Sequence, residues 1–252
     1  MKIEAVPSPN FKDRKADVNM LVLHYTGMET GQAALERMCD PASEVSAHYM
    51  IWEDGRVVQL VGEDKRAWHA GVSAWQGQTD INSCSIGIEI VNGGYDWPLT
   101  DGTLPPYPDV QIESVIKLCQ GILERWTIPQ KGIVGHSDIA PDRKDDPGEH
   151  FPWVRLAEAG IGMWPERVEG DELNLIGRGL GLSDKGDSVK RLQSMLAGIG
   201  YPIEESSAYD AQTEAVVRAF QRRWVQDRVT GLADLETLQA IDRVQALYER
   251  SD

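Results

Sequence analysis

Apolar side chains arrive in short, differently spaced groups along the first two thirds of the chain. Val18 to Thr26, with Met20-Leu21-Val22-Leu23 at its centre, is apolar almost throughout, which predicts a strand covered on both faces and therefore central in a sheet. Ala33 to Met38 predicts a short helix. His48-Tyr49-Met50-Ile51-Trp52 and Arg56-Val57-Val58-Gln59-Leu60-Val61 flank Glu53-Asp54-Gly55, an Asp-Gly turn that predicts a hairpin. Ser85 to Val91 is a further strand. Residues 92–108 hold three glycines and four prolines and predict a long loop of the kind that walls a site. Ile112, Val115, Ile116, Cys119, Ile122, Leu123 and Trp126 recur at helical spacing, giving an amphipathic helix over about residues 109–127. Ile133-Val134 opens a last strand. Strands interleaved with helices predict an α/β fold with a mixed central β-sheet flanked by helices, and the hairpin excludes a purely parallel sheet.

Past Gly162 the pattern changes. The acidic stretch to Gly181, with Glu166, Glu169, Asp171 and Glu172, reads as a linker. Gly186-Asp187-Ser188 then opens a helix with Val189, Leu192, Leu196 and Ile199 on one face. Asp210 can cap a second helix bearing Val216, Val217 and Phe220, and Leu235, Leu238 and Ile241 mark a third. The expected organisation is a catalytic domain over residues 1–165, a linker over 166–181 and a small three-helix domain over 182–252, each folded unit with its own core.

The 252 residues suffice for one well-buried domain and a small second one. A formal charge of −15 leaves no basic excess for counterion release, so nucleic acid is not an expected partner, and anionic membrane surfaces are disfavoured. No segment approaches the ~20 apolar residues of a membrane-spanning helix. Cys39, Cys84 and Cys119 lack paired spacing and read as buried thiols in a reducing compartment. Met1 to Lys15 carries no apolar signal core, which predicts a cytoplasmic protein, with a periplasmic one as the alternative if a leader has been removed.

Candidate chemistry concentrates in Gly135-His136-Ser137-Asp138-Ile139-Ala140-Pro141-Asp142-Arg143-Lys144-Asp145-Asp146-Pro147-Gly148. A loop leaving a strand and stiffened by two prolines can hold His136 and Asp146 against one metal ion with Lys144 beside it. His24, at the end of another apolar run, supplies a third ligand. Two histidines and one carboxylate with an open fourth position are a catalytic zinc donor set.

Leu23-His24-Tyr25-Thr26, Ser46-Ala47-His48-Tyr49, Ala67-Trp68-His69-Ala70-Gly71, Ser85-Ile86-Gly87-Ile88-Glu89-Ile90 and the loop above occur in this order. The series resembles the zinc-dependent N-acetylmuramoyl-L-alanine amidases, which share their fold with peptidoglycan recognition proteins, and the likeness covers residues 18–165 or so. It implies one Zn2+ per chain on His24, His136 and Asp146, with Glu89 as general base and Lys144 stabilising the oxyanion. It also implies substrate contacts from His69 and Trp68; Asn92, just after the Glu89 strand, is a further expected contact from its position. His48 and His150 are read as structural, and Arg143 as a solvated neighbour or loop anchor.

The implied reaction is hydrolysis of the amide between N-acetylmuramic acid, or its anhydro form, and L-alanine of the stem peptide, in wall recycling or remodelling. Muropeptides and anhydro-muropeptides are the implied partners. A recognition protein that binds muropeptide without cleaving it is the alternative, as is cleavage of another amide. In the C-terminal part, Val189-x-x-Leu192-Gln193, Asp210-x-x-Thr213 and Ala219-Phe220-Gln221 resemble the small helical peptidoglycan-binding domain, although Ser206-Ser207-Ala208-Tyr209 stands where that family carries glycines.

Overall fold

The computed structural model describes residues 2–165 and 179–250; of the expected linker, residues 166–178 lie outside the described residues. In chain order the strands and helices are β1 (Ile3–Ala5), β2 (Phe11–Asp13), β3 (Met20–Tyr25), α1 (Gly31–Cys39), β4 (Tyr49–Ile51), β5 (Val57–Gln59), β6 (Lys65–Ala67), β7 (Ala74–Trp75), β8 (Gln78–Thr79), α2 (Ile81–Cys84) and β9 (Ser85–Ile90). There follow α3 (Asp109–Arg125), β10 (Ile133–Gly135), α4 (His136–Ile139), α5 (Trp153–Glu158), α6 (Asp187–Ile199), α7 (Ala211–Trp224) and α8 (Leu235–Glu249). The main sheet has the order β1-β5-β4-β9-β3-β10. β4, β9, β3 and β10 run parallel, whereas β5 returns antiparallel to β4 through the Asp-Gly turn. The expected mixed sheet is thus observed.

β3 is central, as its apolar run predicts, and its two faces go to different covers. Leu21 and Leu23 join Ile86, Ile88 and Ile90 of β9 under the apolar face of α3, through Ile112, Val115, Cys119 and Ile122. Met20 and Val22 face the other way and lie in one continuous cluster with Trp75, Ile81, Val134, Leu192, Ile199, Tyr201 and Phe220. The expectation of two separate cores is therefore corrected. The helical unit packs on the second face of the sheet, because β3 and β10 are apolar on both sides and α3 covers only one. The linker's acidity carried no information about this contact. Cys84 and Cys119 are buried thiols; Cys39 is only partly so, because it sits at the end of α1.

The helical unit repeats one device. Gln193 donates to the Ala208 carbonyl and the Thr213 hydroxyl, and its oxygen accepts from the Ser207 N–H. Gln221 does the same with Leu232, Thr237 and the Gly231 N–H. Asp210 and Asp234 cap the helices that follow by accepting from the N–H groups of Thr213 and Thr237. The turn before α8 uses Gly231 at φ 74°, and the turn before α7 holds Ser207 at φ 62°. The departure from the glycine pattern is thus accommodated by a serine in the left-handed region, at a cost of about 1 kcal/mol.

His48 is structural, as expected. Its Nδ1 accepts from the Gly87 N–H at 2.9 Å, so Nε2 carries the proton and donates to the Lys65 carbonyl at 3.0 Å. Burial pushes its pKa down to about 3. The unfolded chain therefore takes up a proton near pH 6.5 that the folded protein refuses, and stability falls as pH drops through that value until about pH 3. At pH 5 this one residue should account for about 2 kcal/mol of lost stability relative to pH 7. Urea unfolding at the two pH values tests it: His48→Gln should shrink the difference by that amount, and an unchanged difference would assign the loss elsewhere.

Candidate metal centre and cleft

The site lies at the carboxyl ends of the parallel strands, where side chains and following loops converge. In register, His24 of β3 stands beside Glu89 of β9, so both project from one face of the sheet. β10 ends one strand over, and the chain turns directly into α4, which begins with His136. The loop then returns to bring Asp146 alongside. His24 Nδ1 lies 3.0 Å from His136 Nδ1 and 3.1 Å from Asp146 Oδ2, and His136 Nδ1 lies 3.1 Å from the same oxygen. All three side chains are buried.

Hydrogen bonds at the far side of each ring set which nitrogen carries the proton. His136 Nε2 sits 3.1 Å from the Ala70 carbonyl, an obligate acceptor, so its Nδ1 presents a lone pair to the centre. The second assignment passes through three residues. Ser85 donates its only hydroxyl proton to the Ile81 carbonyl at 2.6 Å and accepts from His69 Nε2 at 3.1 Å. His69 Nδ1 is then left to accept from His24 Nε2 at 3.0 Å, and His24 Nδ1 also presents a lone pair. Burial, followed by the neighbouring His136, lowers the His24 pKa to about 4 and keeps its ring neutral at pH 7.

Two lone pairs and a carboxylate converging at such distances suit a cation between them. Tetrahedral coordination at roughly 2.0–2.1 Å would set ligand atoms about 3.3 Å apart, close to the observed triangle. The donor set therefore fits zinc, and it is the one cluster of three or more histidine, cysteine or acidic side chains with such geometry among the described residues.

Above the ligands opens a cleft of about 460 Å³, lined among others by Trp68, His69, Glu89, Tyr95, Arg37 and Lys144. Glu89 Oε2 is shut off from solvent and has no hydrogen-bond partner among the described residues. Burial pushes its carboxyl well above the ordinary range, Asp146 adds repulsion, and Lys144 opposes both. The Lys144 side chain borders the same cleft, while its backbone N–H is tied to the Ala140 carbonyl.

Of the expected substrate contacts, Trp68 lines the cleft, with an indole N–H that has no partner among the described residues. His69 borders it too, but both ring nitrogens are engaged between His24 and Ser85. Its ring rests on Gly87, where an added Cβ would lie only 2.4–2.6 Å from the imidazole, so glycine is what lets the ring approach. Asn92 does not reach the cleft. Its amide donates to the Pro105 carbonyl and accepts from the Gly94 N–H, because the start of the long loop needs both groups. Arg143 is an anchor, donating to the carbonyls of Ala70 and Val72. His150 stacks on Tyr107 at 4.8 Å and belongs to the loop.

Asn82 and Ser85 were not singled out by the sequence. Asn82 accepts from the N–H groups of His69 and Ala70 and so fixes the segment that supports both histidine ligands. Ser85 lies inside one of the motifs, yet nothing in a linear pattern tells a relay hydroxyl from a strand residue.

The chain resembles known proteins in sequence and in fold. Residues 14–149 match the family model of N-acetylmuramoyl-L-alanine amidases, and residues 185–241 match that of a peptidoglycan binding domain. The chain is 37% identical over 240 residues to the N-acetylmuramoyl-L-alanine amidase AmiD of Escherichia coli, covering 92% of this chain and 83% of that protein. It is 39% identical over 170 residues to the 1,6-anhydro-N-acetylmuramyl-L-alanine amidase AmpD of Enterobacter cloacae, covering 60% of this chain and 86% of that protein. The structure of AmiD with anhydro-N-acetylmuramic acid-L-Ala-D-gamma-Glu-L-Lys superposes with a TM-score of 0.76 at 34% identity, over 94% of this chain and 93% of that one. AmpDh3 of Pseudomonas aeruginosa with anhydromuramic pentapeptide gives 0.77 at 35% identity, over 92% of each chain. With the family model matched over residues 14–149 and a relative 37% identical over 92% of this chain, the chain belongs to the N-acetylmuramoyl-L-alanine amidase family.

Proposed function

We propose that the protein is a zinc hydrolase that cleaves the amide between N-acetylmuramic acid, including its 1,6-anhydro form, and L-alanine of the stem peptide. The observation that carries the reading is the convergence of His24 Nδ1, His136 Nδ1 and Asp146 Oδ2 within 3.0–3.1 Å at the floor of a cleft, beside Glu89, whose Oε2 has no partner among the described residues. His24, His136 and Asp146 hold the ion, which when bound supplies Lewis acidity toward a carbonyl and makes water more acidic. Glu89 takes the proton of the attacking water and passes it to the departing nitrogen. The C–N bond breaks, the lactyl carbonyl becomes a carboxylic acid and the peptide leaves as an amine. Lys144 offers a fixed cation toward the carbonyl oxygen as negative charge gathers there. Trp68 gives the substrate an apolar wall, and His69 orients His24 through the Ser85 relay.

The three-part organisation, with catalysis in residues 1–165 and a peptidoglycan-binding-like unit in 182–252, belongs to the same reading. Relatives whose structures contain anhydro-muropeptides support that substrate class. Among the described residues no helix is long and apolar enough to cross a membrane. Incubation with a defined anhydro-muropeptide should release an intact stem peptide that begins with a free L-alanine amine, read by mass spectrometry. Fragments cut within the peptide would sink the assignment of this bond, and recovery of uncleaved substrate would favour the recognition-only alternative.

A further inference from the structure

Helix α7 and the residues just after it touch the ligand loop at three places. Asp138, two residues beyond His136, is buried. Its Oδ2 accepts from the Gly135 N–H and from Arg223 Nη1, each at 2.8 Å, and its Oδ1 accepts from the Tyr201 hydroxyl at 2.7 Å. Arg223 is 2% exposed, donates through Nη2 to the Ile133 carbonyl at 2.8 Å and lies between the rings of Trp153 and Trp224. Next to it, Arg222 pairs with Asp145, immediately before the Asp146 ligand, and lies 5.8 Å over the ring of Tyr95 in the cleft wall. Gln226 donates to the carbonyls of Glu149 and Phe151, each at 2.7 Å, where the loop leaves the site.

We propose that α7 is a clamp on the metal-ligand loop, with Arg222, Arg223 and Gln226 as positioning residues for His136 and Asp146. The physical reason is the buried ion pair. Desolvating Asp138 and Arg223 is unfavourable unless each finds the other and the carboxylate's remaining lone pairs find donors. Asp138 meets that condition only while the helical unit is docked. The turn that presents His136 is thereby held from both sides: Gly135 and Ile133 are its backbone, and Arg223 bonds across them. The helical unit is then part of the metal centre's support as well as a module for binding polymer. Outer groups that orient ligands typically change metal affinity by 10–100-fold when lost.

This inference rests on the zinc reading above. The test is zinc affinity of the full-length protein, measured by competition with a chromophoric chelator well below the unfolding temperature. Arg223→Met should weaken zinc binding about 10–100-fold, Arg223→Lys should recover part of the loss, and Arg222→Gln should weaken it by about tenfold. Arg218→Ala, on the same helix but paired only with Glu214 among the described residues, should leave affinity unchanged. A folded Arg223→Met with wild-type affinity overturns the clamp. Should that variant fail to fold, unchanged affinity in Arg222→Gln overturns it equally. Equal losses in all variants, Arg218→Ala included, would also overturn it, since they would report general loosening. A wild-type protein that binds no zinc would instead sink the metal reading itself.

Discussion

Exhaustive dialysis against a strong chelator is expected to lower muropeptide hydrolysis by about 10³-fold or more, and one equivalent of zinc per chain is expected to restore it. The size follows from what the ligands leave behind. Lewis-acid stabilisation of developing charge amounts to several kcal/mol, and each 1.36 kcal/mol is about tenfold in rate. Without it, Lys144 and Arg37 are the cations left on the cleft wall among the described residues, since Arg143 is spent on the carbonyls of Ala70 and Val72. Restoration should saturate at one equivalent, because His24, His136 and Asp146 are the one such cluster among the described residues. Folding should survive the treatment, as the three core clusters are apolar and independent of the ion. Steady-state rates beside elemental analysis settle the matter, and a chelated, zinc-free preparation at full activity would remove zinc from the reaction.

Glu89→Gln should lose about 10²–10⁴-fold in kcat while keeping its zinc. The substitution preserves the shape of the side chain and deletes the proton acceptor. Glu89 stands beside His24 in register without being a ligand, so the donor triangle should remain intact. Its carboxyl is raised by burial and by the Asp146 charge, which suits a group that must take a proton from water and return it to nitrogen. Zinc content and kcat measured on the same sample separate the two roles. Loss of zinc together with rate would make Glu89 part of the metal's support, and near-normal kcat would transfer the base to another group.

Much of this arrangement is legible in one dimension because it depends on period and order. β3 reads as central since apolar residues alternate to both faces without interruption. The Asp54-Gly55 turn reads as a hairpin because Gly55 takes φ 81° there. α3 reads from seven apolar positions at helical spacing. The proposed metal ligands read only in part from residue type: His136 and Asp146 ten residues apart in a proline-stiffened loop, with a second histidine ending a strand, suit a metal ion, and the family resemblance is what assigns them. Short edge strands such as β1 and β2 did not read, because their residues are exposed and carry no periodic signal.

What the sequence by itself determined is the class of sheet and the order of elements, since these follow from side-chain chemistry and local backbone preference; the proposed ligands and general base rest on the family resemblance. Tertiary structure alone decided how the ligands are oriented and what covers the sheet. His69 was placed behind His24, at the edge of the cleft, by the space over Gly87 and by the Ser85 hydroxyl, and Asn92 was drawn into its own loop by two backbone groups that needed partners. The helical unit docked because the second face of β3 and β10 had to be covered, and the buried pairing of Asp138 with Arg223 joins residues 85 positions apart. Such pairings have no local signature. They arise where burial removes water and leaves each polar group only the partners that the fold brings within reach.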